Sequence, residues 1–96
     1  MKLTLHDAAE AELRAAARYY EAKLPGLGVD LIEEFARALE RILTHPHAGS
    51  PARAGTRRQL LNRFPFGVYY LAEGSTVAIL AVAHHSRRPG YWEKRR

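Results

Sequence analysis

Polar and apolar positions alternate over residues 2–5, the two-residue period of a short strand. The period then lengthens. Ala9, Leu13, Ala16, Tyr20 and Leu24 recur three or four positions apart, which predicts a helix with one apolar stripe. Asp7 and Glu10 read as a capping pair at its start: the Asp7 carboxylate can accept from the first free amides while Glu10 reaches back. Pro25-Gly26 stops the helix, because proline disfavours helical geometry at Leu24 and glycine permits the reversal. A second helix is expected from near Gly28 to Thr44. Leu31, Ile32, Phe35, Leu39, Ile42 and Leu43 give it a wide apolar face, the strongest periodic signal in the chain. Glu33 and Arg37 are spaced for an exposed pair, and His45-Pro46 ends the helix. The link between the two helices is short enough to make them antiparallel neighbours.

Beyond the second helix the pattern changes again. Residues 47–56 are rich in Gly, Pro, Ala and Ser and read as an irregular connector. Residues 57–63, 66–72 and 76–84 read as three strands, the last two joined by a two-residue turn at Glu73-Gly74. Residues 77–83 are apolar on both faces, as expected of a central strand with helices over one side. The tail from Ser86 is polar and basic, with Tyr91 and Trp92 embedded in it. There is no repeat and no linker. The reading is one α+β domain over residues 1–96: an N-terminal strand and an αα-hairpin packed on a small antiparallel sheet, followed by a basic C-terminal tail.

Composition narrows the chemistry. The 96 residues contain no cysteine, which excludes disulfides, thiolate metal sites and a cysteine nucleophile. Asp7, Glu10 and Glu12 stand where a signal peptide would be apolar, and the longest apolar run is far shorter than the ~20 residues of a membrane span. A cytoplasmic protein without a membrane partner is expected. The net charge of +5 is unevenly spread. Residues 1–50 carry six basic and eight acidic side chains; residues 51–96 carry nine basic side chains against Glu73 and Glu93 alone. That polarity points to an acidic partner, either nucleic acid or an acidic protein segment. Twelve of the fifteen basic residues are arginine, whose planar fork suits phosphate and carboxylate.

Most catalytic motifs are missing. The glycines at 26 and 28 join two helices, so they form a turn and not a phosphate cradle, and no cofactor is implied. His45 and His47 flank Pro46 in a loop with no third ligand, so no metal site is expected. The serines lie in loops or turns without a nucleophile motif. What remains is the basic set: Arg57, Arg58 and Arg63 on or beside one strand, Arg87 and Arg88 after the last strand, and Lys94, Arg95 and Arg96 at the end. Phe64, Tyr69, Tyr70, Tyr91 and Trp92 are interleaved with them and could stack on bases or arginines. The alternative is structural: the two tyrosines pack the sheet and Trp92 pins the tail. His84, His85, Arg87 and Tyr91 follow the central strand and contain the base, acid and cation types that RNA cleavage by its own 2′-hydroxyl requires. Here too a structural alternative stands, with His84 a hydrogen-bonding residue at a strand end.

One set of residues resembles a family. Tyr19-Tyr20, Pro25-Gly26-Leu27-Gly28, Arg57-Arg58, Arg63-Phe64-Pro65-Phe66, Tyr70, His84, Arg87-Arg88-Pro89 and Tyr91-Trp92, in this order and spacing, resemble the ParE/RelE superfamily of toxins from bacterial type II toxin–antitoxin modules. The likeness covers almost the whole chain and favours the ParE-like, or plasmid stabilisation, branch. It implies a cognate acidic antitoxin whose disordered C-terminal part wraps around the toxin, with Tyr20, Leu31, Phe35 and Leu39 lining an apolar groove for it. RelE-like members cleave messenger RNA on the ribosome with a cluster of lysines and arginines. This chain departs from them, since its only lysines are Lys2, Lys23 and Lys94. ParE-like members lack that cluster and are linked to poisoning of DNA gyrase. The resemblance therefore implies a non-enzymatic toxin that meets gyrase through Arg57, Arg58, Arg63, Arg87, Arg88, Tyr91 and Trp92. One alternative is a ribosome-dependent endoribonuclease with His84, Arg87 and Tyr91 as catalytic residues. Another is a degenerate, non-toxic protein that only binds the antitoxin as a co-repressor.

Overall fold

A computed structural model describes residues 1–95, so Arg96 of the basic tail lies outside the described residues. The chain runs β1 (Lys2–Leu5), α1 (Asp7–Lys23), α2 (Leu27–Thr44), β2 (Ser50–Pro51), β3 (Arg57–Leu60), β4 (Phe66–Glu73) and β5 (Thr76–His84). The five strands form one sheet in the order β1-β5-β4-β3-β2. The α+β expectation holds, and the N-terminal strand proves to be part of the sheet: β1 joins the edge of β5 in parallel, Lys2 opposite Thr76 and Leu5 opposite Ile79. Among the described residues no helix is long and apolar enough to cross a membrane.

The start of α1 corrects the sequence reading. His6, not Asp7, is the capping residue, and its Nδ1 accepts from the Ala8 amide at 3.0 Å. Asp7 instead lies in the first turn, where its charge meets the positive end of the helix dipole. Glu10 pairs with Arg14 one turn on at 2.7 Å and does not reach back. Gly26 turns the chain at a φ of 93°, a left-handed conformation that glycine adopts without strain. Glu21 then caps α2 from the neighbouring helix, its carboxylate accepting from the amides of Gly26 and Gly28 at 2.9 and 3.0 Å. Gly28 lies so close to α1 that a β-carbon there would stand 2.5 Å from the Ala17 carbonyl oxygen.

The apolar stripes of both helices meet one face of the sheet. Leu13, Leu31, Phe35 and Ile42 pack on Phe66, Val68, Tyr70, Val77 and Ile79 to make the main core. In the β4–β5 pairing the register shifts between Tyr69 and Tyr70, so Leu80 falls opposite no residue. The resulting bulge flips the alternation, and Leu80 and Ala81 both belong to the far face. There they pack with Ala83 and Trp92, which is 2% exposed. The tail is therefore docked, and its tryptophan covers the sheet face opposite the helices.

Two strand boundaries also differ from expectation. The connector contains the two-residue β2, antiparallel to β3, with Pro51 at an edge where its missing N–H goes unneeded. The third strand ends at Leu60, so Arg63 is not on a strand. The cause is Glu34 of α2, 3% exposed, whose carboxylate accepts from the amides of Asn62 and Arg63 and turns the chain out of the sheet.

Candidate functional site: an arginine cleft

The open face of the sheet carries a concave cleft of about 530 Å³. Its floor is Tyr69 and Trp92, and Arg58, His84, Arg87 and Arg88 stand around it. The pleat decides which arginines reach it. Arg58 pairs with Tyr69 and faces the cleft, whereas Arg57 pairs with Tyr70 and faces the helices. Arg57 there donates to the Gly49 carbonyl at 2.9 Å. Arg63, off the strand, pairs with Asp30 of α2 at 3.4 Å. The expected target-binding set is thus divided: Arg58, Arg87, Arg88 and Tyr91 share the cleft, and Arg57 and Arg63 belong to other surfaces. Trp92 lines the cleft from below, its ring packed on Tyr69 at 4.8 Å and its surface covered.

A clasp on the tail holds one wall in place. Glu12 of α1 accepts from both terminal nitrogens of the Arg95 guanidinium, at 2.9 and 3.0 Å, and from the Tyr91 hydroxyl at 2.5 Å. It also accepts from the Val82 amide at 3.0 Å. That amide belongs to β5 just past the point where β1 stops pairing, so Glu12 satisfies a donor the edge strand cannot reach. Arg95 donates as well to the Leu80 carbonyl at 3.0 Å, beside the bulge. Burial raises the Glu12 carboxyl, but the bonds from Arg95, Tyr91 and Val82 outweigh it and hold the group below its ordinary 4.5. The Tyr91 ring carries the Arg87 guanidinium at 3.9 Å.

The same contacts bear on the proposed acid and base. Burial and the Glu12 carboxylate push the Tyr91 hydroxyl well above the phenol range, so it does not ionise near neutrality. His84 Nδ1 accepts from the Ser86 amide at 3.0 Å and lies 2.8 Å from its hydroxyl, while the ring edge meets Phe66. The structure does bring His84, Arg87 and Tyr91 to one cleft. It also gives the tyrosine hydroxyl and one imidazole nitrogen structural partners.

Over residues 3–89 the chain matches the model of the ParE toxin of type II toxin–antitoxin systems, parDE. The chain belongs to the ParE toxin family. A solved structure of the chromosomal ParDE TA system from P. aeruginosa shares the fold, with a TM-score of 0.76 at 23% identity, over 88% of this chain and 95% of that one. No curated protein sequence matches. The clasp residues Tyr91 and Arg95 lie beyond the segment that the family model covers in this ParE toxin.

The groove expected for a partner needs correction. Leu31 is fully buried and Phe35 is 5% exposed, because the stripe that carries them is the stripe that packs on the sheet. Leu39 and Tyr20 are half-buried against the same core. The apolar side chains that remain open on the hairpin are Tyr19, Leu24, Val29 and Ile32. Val29 and Ile32 border a shallow depression between α1 and α2 beside Ala17 and Gly28.

Sequence reasoning missed Glu12, Glu21 and Glu34, which hold the tail, the hairpin and the end of β3. A signal existed for one of them. Glu34 sits within the 31, 35, 38 and 42 stripe of α2, and an acid inside an apolar stripe needs a partner.

Proposed function

We propose that this ParE toxin arrests growth in the cytoplasm by binding DNA gyrase, without cutting RNA, and that a cognate acidic antitoxin neutralises it. The observation that carries the non-enzymatic reading is the clasp: the Tyr91 hydroxyl is bonded to Glu12 and held out of its reactive range. An RNA-cleaving site needs a group that exchanges protons near neutral pH. The clasp takes the tyrosine out of that set and leaves the cleft's imidazoles, His84 and His85, without it, while Arg58, Arg87 and Arg88 supply fixed positive charge suited to binding. The gyrase target is what membership of the ParE family supports, together with the absent lysine cluster. An amphipathic antitoxin segment would find its apolar footing on Val29, Ile32, Leu24 and Tyr19, which the chain's own core leaves open.

The test pairs a supercoiling assay on the purified chain with transcript mapping in cells that express it. Gyrase supercoiling of relaxed plasmid is expected to fall with added toxin and to recover when the antitoxin is present. Normal supercoiling at saturating toxin would sink the gyrase reading. Mapping of transcript ends after induction is expected to show no new cuts. Cuts that vanish in His84→Ala and Arg87→Ala would establish the endoribonuclease instead, and harmless expression would leave only the co-repressor role.

A further inference from the structure

The described arginines of the second half divide into two groups. Arg63 pairs with Asp30, Arg95 with Glu12, Arg53 with Glu93 at 3.8 Å, and Arg57 donates to Gly49. Arg58, Arg87 and Arg88 have no carboxylate or carbonyl partner among the described residues, and all three stand on the same cleft. No aspartate or glutamate lines that cleft. Like charges gathered without a counter-charge repel one another, so the arrangement stores a demand for an anion.

Arg58 sharpens this. Its Nε is buried and has no hydrogen-bond partner among the described residues. Buried polar groups are nearly always satisfied. A ligand in the cleft would not touch this covered atom, but its lack of a partner shows that the fold itself gives the Arg58 guanidinium no anchor. The side chain is also fixed before any ligand arrives. Its stem lies over Gly67, where a β-carbon would come within 3.3 Å of the Arg58 Cγ and of the Tyr69 ring. Across the cleft Arg87 is fixed too, stacked on the Tyr91 ring that Glu12 holds. Two arginine forks thus face the cleft from rigid supports, with a half-buried tyrosine between them.

We infer that this cleft is a binding site for the phosphodiester backbone of a single nucleic-acid strand. Positive groups that track a backbone beside an aromatic surface on which a base can lie are the recurring design for such strands. An acidic peptide answers the charge but not the rest. A partner segment that folds on binding draws on several apolar anchors. Tyr19, Leu24, Val29 and Ile32 are open on the helical hairpin, across the sheet, whereas Leu60 is the one exposed large apolar side chain at the cleft among the described residues. The inference deepens the gyrase reading, since gyrase holds DNA, yet it concerns the cleft alone.

The test is fluorescence anisotropy of a labelled oligothymidylate of about eight nucleotides, titrated with the full chain. With three arginines on the strand, the logarithm of the binding constant should fall against the logarithm of salt with a slope of about −2. Arg58→Met keeps the stem over Gly67 and removes the guanidinium; binding should weaken about tenfold, with an unchanged far-ultraviolet spectrum. Arg87→Ala, at an exposed position, should weaken it similarly even if R58M fails to fold. Arg14→Ala, on the far helix, should change nothing. An oligoglutamate of equal length should displace the strand at least tenfold less well than unlabelled oligothymidylate. Equal displacement would assign the cleft to an acidic peptide and overturn the inference, as would wild-type binding by both cleft variants. A toxin that blocks supercoiling but ignores the oligonucleotide would refute this inference and leave the gyrase reading intact. Oligonucleotide binding without a supercoiling block would do the reverse.

Discussion

Replacing Glu12 by glutamine tests whether the tail is held by charge. The side chains of Glu12 and Arg95 are 16% and 19% exposed, so the pair lies between the surface and interior regimes. Exposed pairs contribute about 0–1 kcal/mol, and breaking a fully buried pair costs about 3–5 kcal/mol. An intermediate value of about 2–3 kcal/mol follows for Glu12→Gln. The amide keeps an acceptor for Val82 but loses its charge and turns an N–H₂ group towards Arg95 or the Tyr91 hydroxyl. For a chain of this size that loss lowers Tm by roughly 10–20 °C, short of unfolding a domain of ordinary stability at room temperature. Thermal melts by circular dichroism give the stability, and the emission of Trp92, the only tryptophan, reports whether the tail remains docked. A cycle with Arg95→Met should return a coupling of about 1–3 kcal/mol, since each single change already breaks the pair. If Glu12→Gln lay within about 0.5 kcal/mol of the wild type with unchanged emission, the clasp would not be what holds the tail.

Three further outcomes follow from the same contacts. The Glu12 carboxyl sits below its ordinary 4.5 in the folded chain, so its contribution is complete above that value and disappears as the pH falls through the lower, folded one. Trp92 emission should therefore shift to the red on acidification below about pH 4.5 in the wild type, and Glu12→Gln should lack that step; an identical titration in both would refute the assignment. Gly28→Ala places a β-carbon against the Ala17 carbonyl and should cost about 1–3 kcal/mol in chemical denaturation, while Val29→Ala, at an exposed position, should stay within about 0.5 kcal/mol. Glu34→Ala leaves the Asn62 and Arg63 amides without their acceptor and should cost about 2–4 kcal/mol, with hydrogen exchange quickening at those two amides; retained protection there would show that another group satisfies them.

Local signals carried the elements well and the boundaries poorly. The 3.6 period of α2, the Pro25-Gly26 stop and the glycine at 74 are written within a few residues, so both helices and the β4–β5 hairpin were legible. The turn itself is Gly74-Ser75, one residue later than expected, with Glu73 still paired to Thr76. The end of β3 was not, because it depends on Glu34, twenty-eight positions earlier. Nor was the parallel docking of β1, a four-residue strand whose partner lies at the other end of the chain. The groove residues failed for a related reason: periodicity marks which stripe of a helix is apolar, and the strongest stripe of α2 is the one the sheet consumes. The division of Arg57 from Arg58 needed nothing nonlocal. Adjacent strand residues face opposite sides, so those two could never have shared one patch.

The uneven charge of the two halves acquires a physical meaning once the contacts are traced. Three carboxylates of the helical hairpin are used internally: Glu21 and Glu34 accept backbone amides, and Glu12 accepts both an amide and Arg95. Asp30 takes Arg63. The first half therefore neutralises the second at its edges, where the tail meets α1 and where the end of β3 meets α2. None of those acids reaches the open face. Among the described residues of the second half, the arginines left without a partner are gathered at Arg58, Arg87 and Arg88, over a floor of tyrosine and tryptophan. Removing a clasp contact should then act on the cleft indirectly. Tyr91→Phe keeps the ring beneath Arg87 and loses only the bond to Glu12, so strand binding should persist in a slightly less stable protein. Tyr91→Ala removes the support itself and should weaken binding even where the fold survives. If both substitutions weakened binding equally, the hydroxyl rather than the ring would be what the cleft requires.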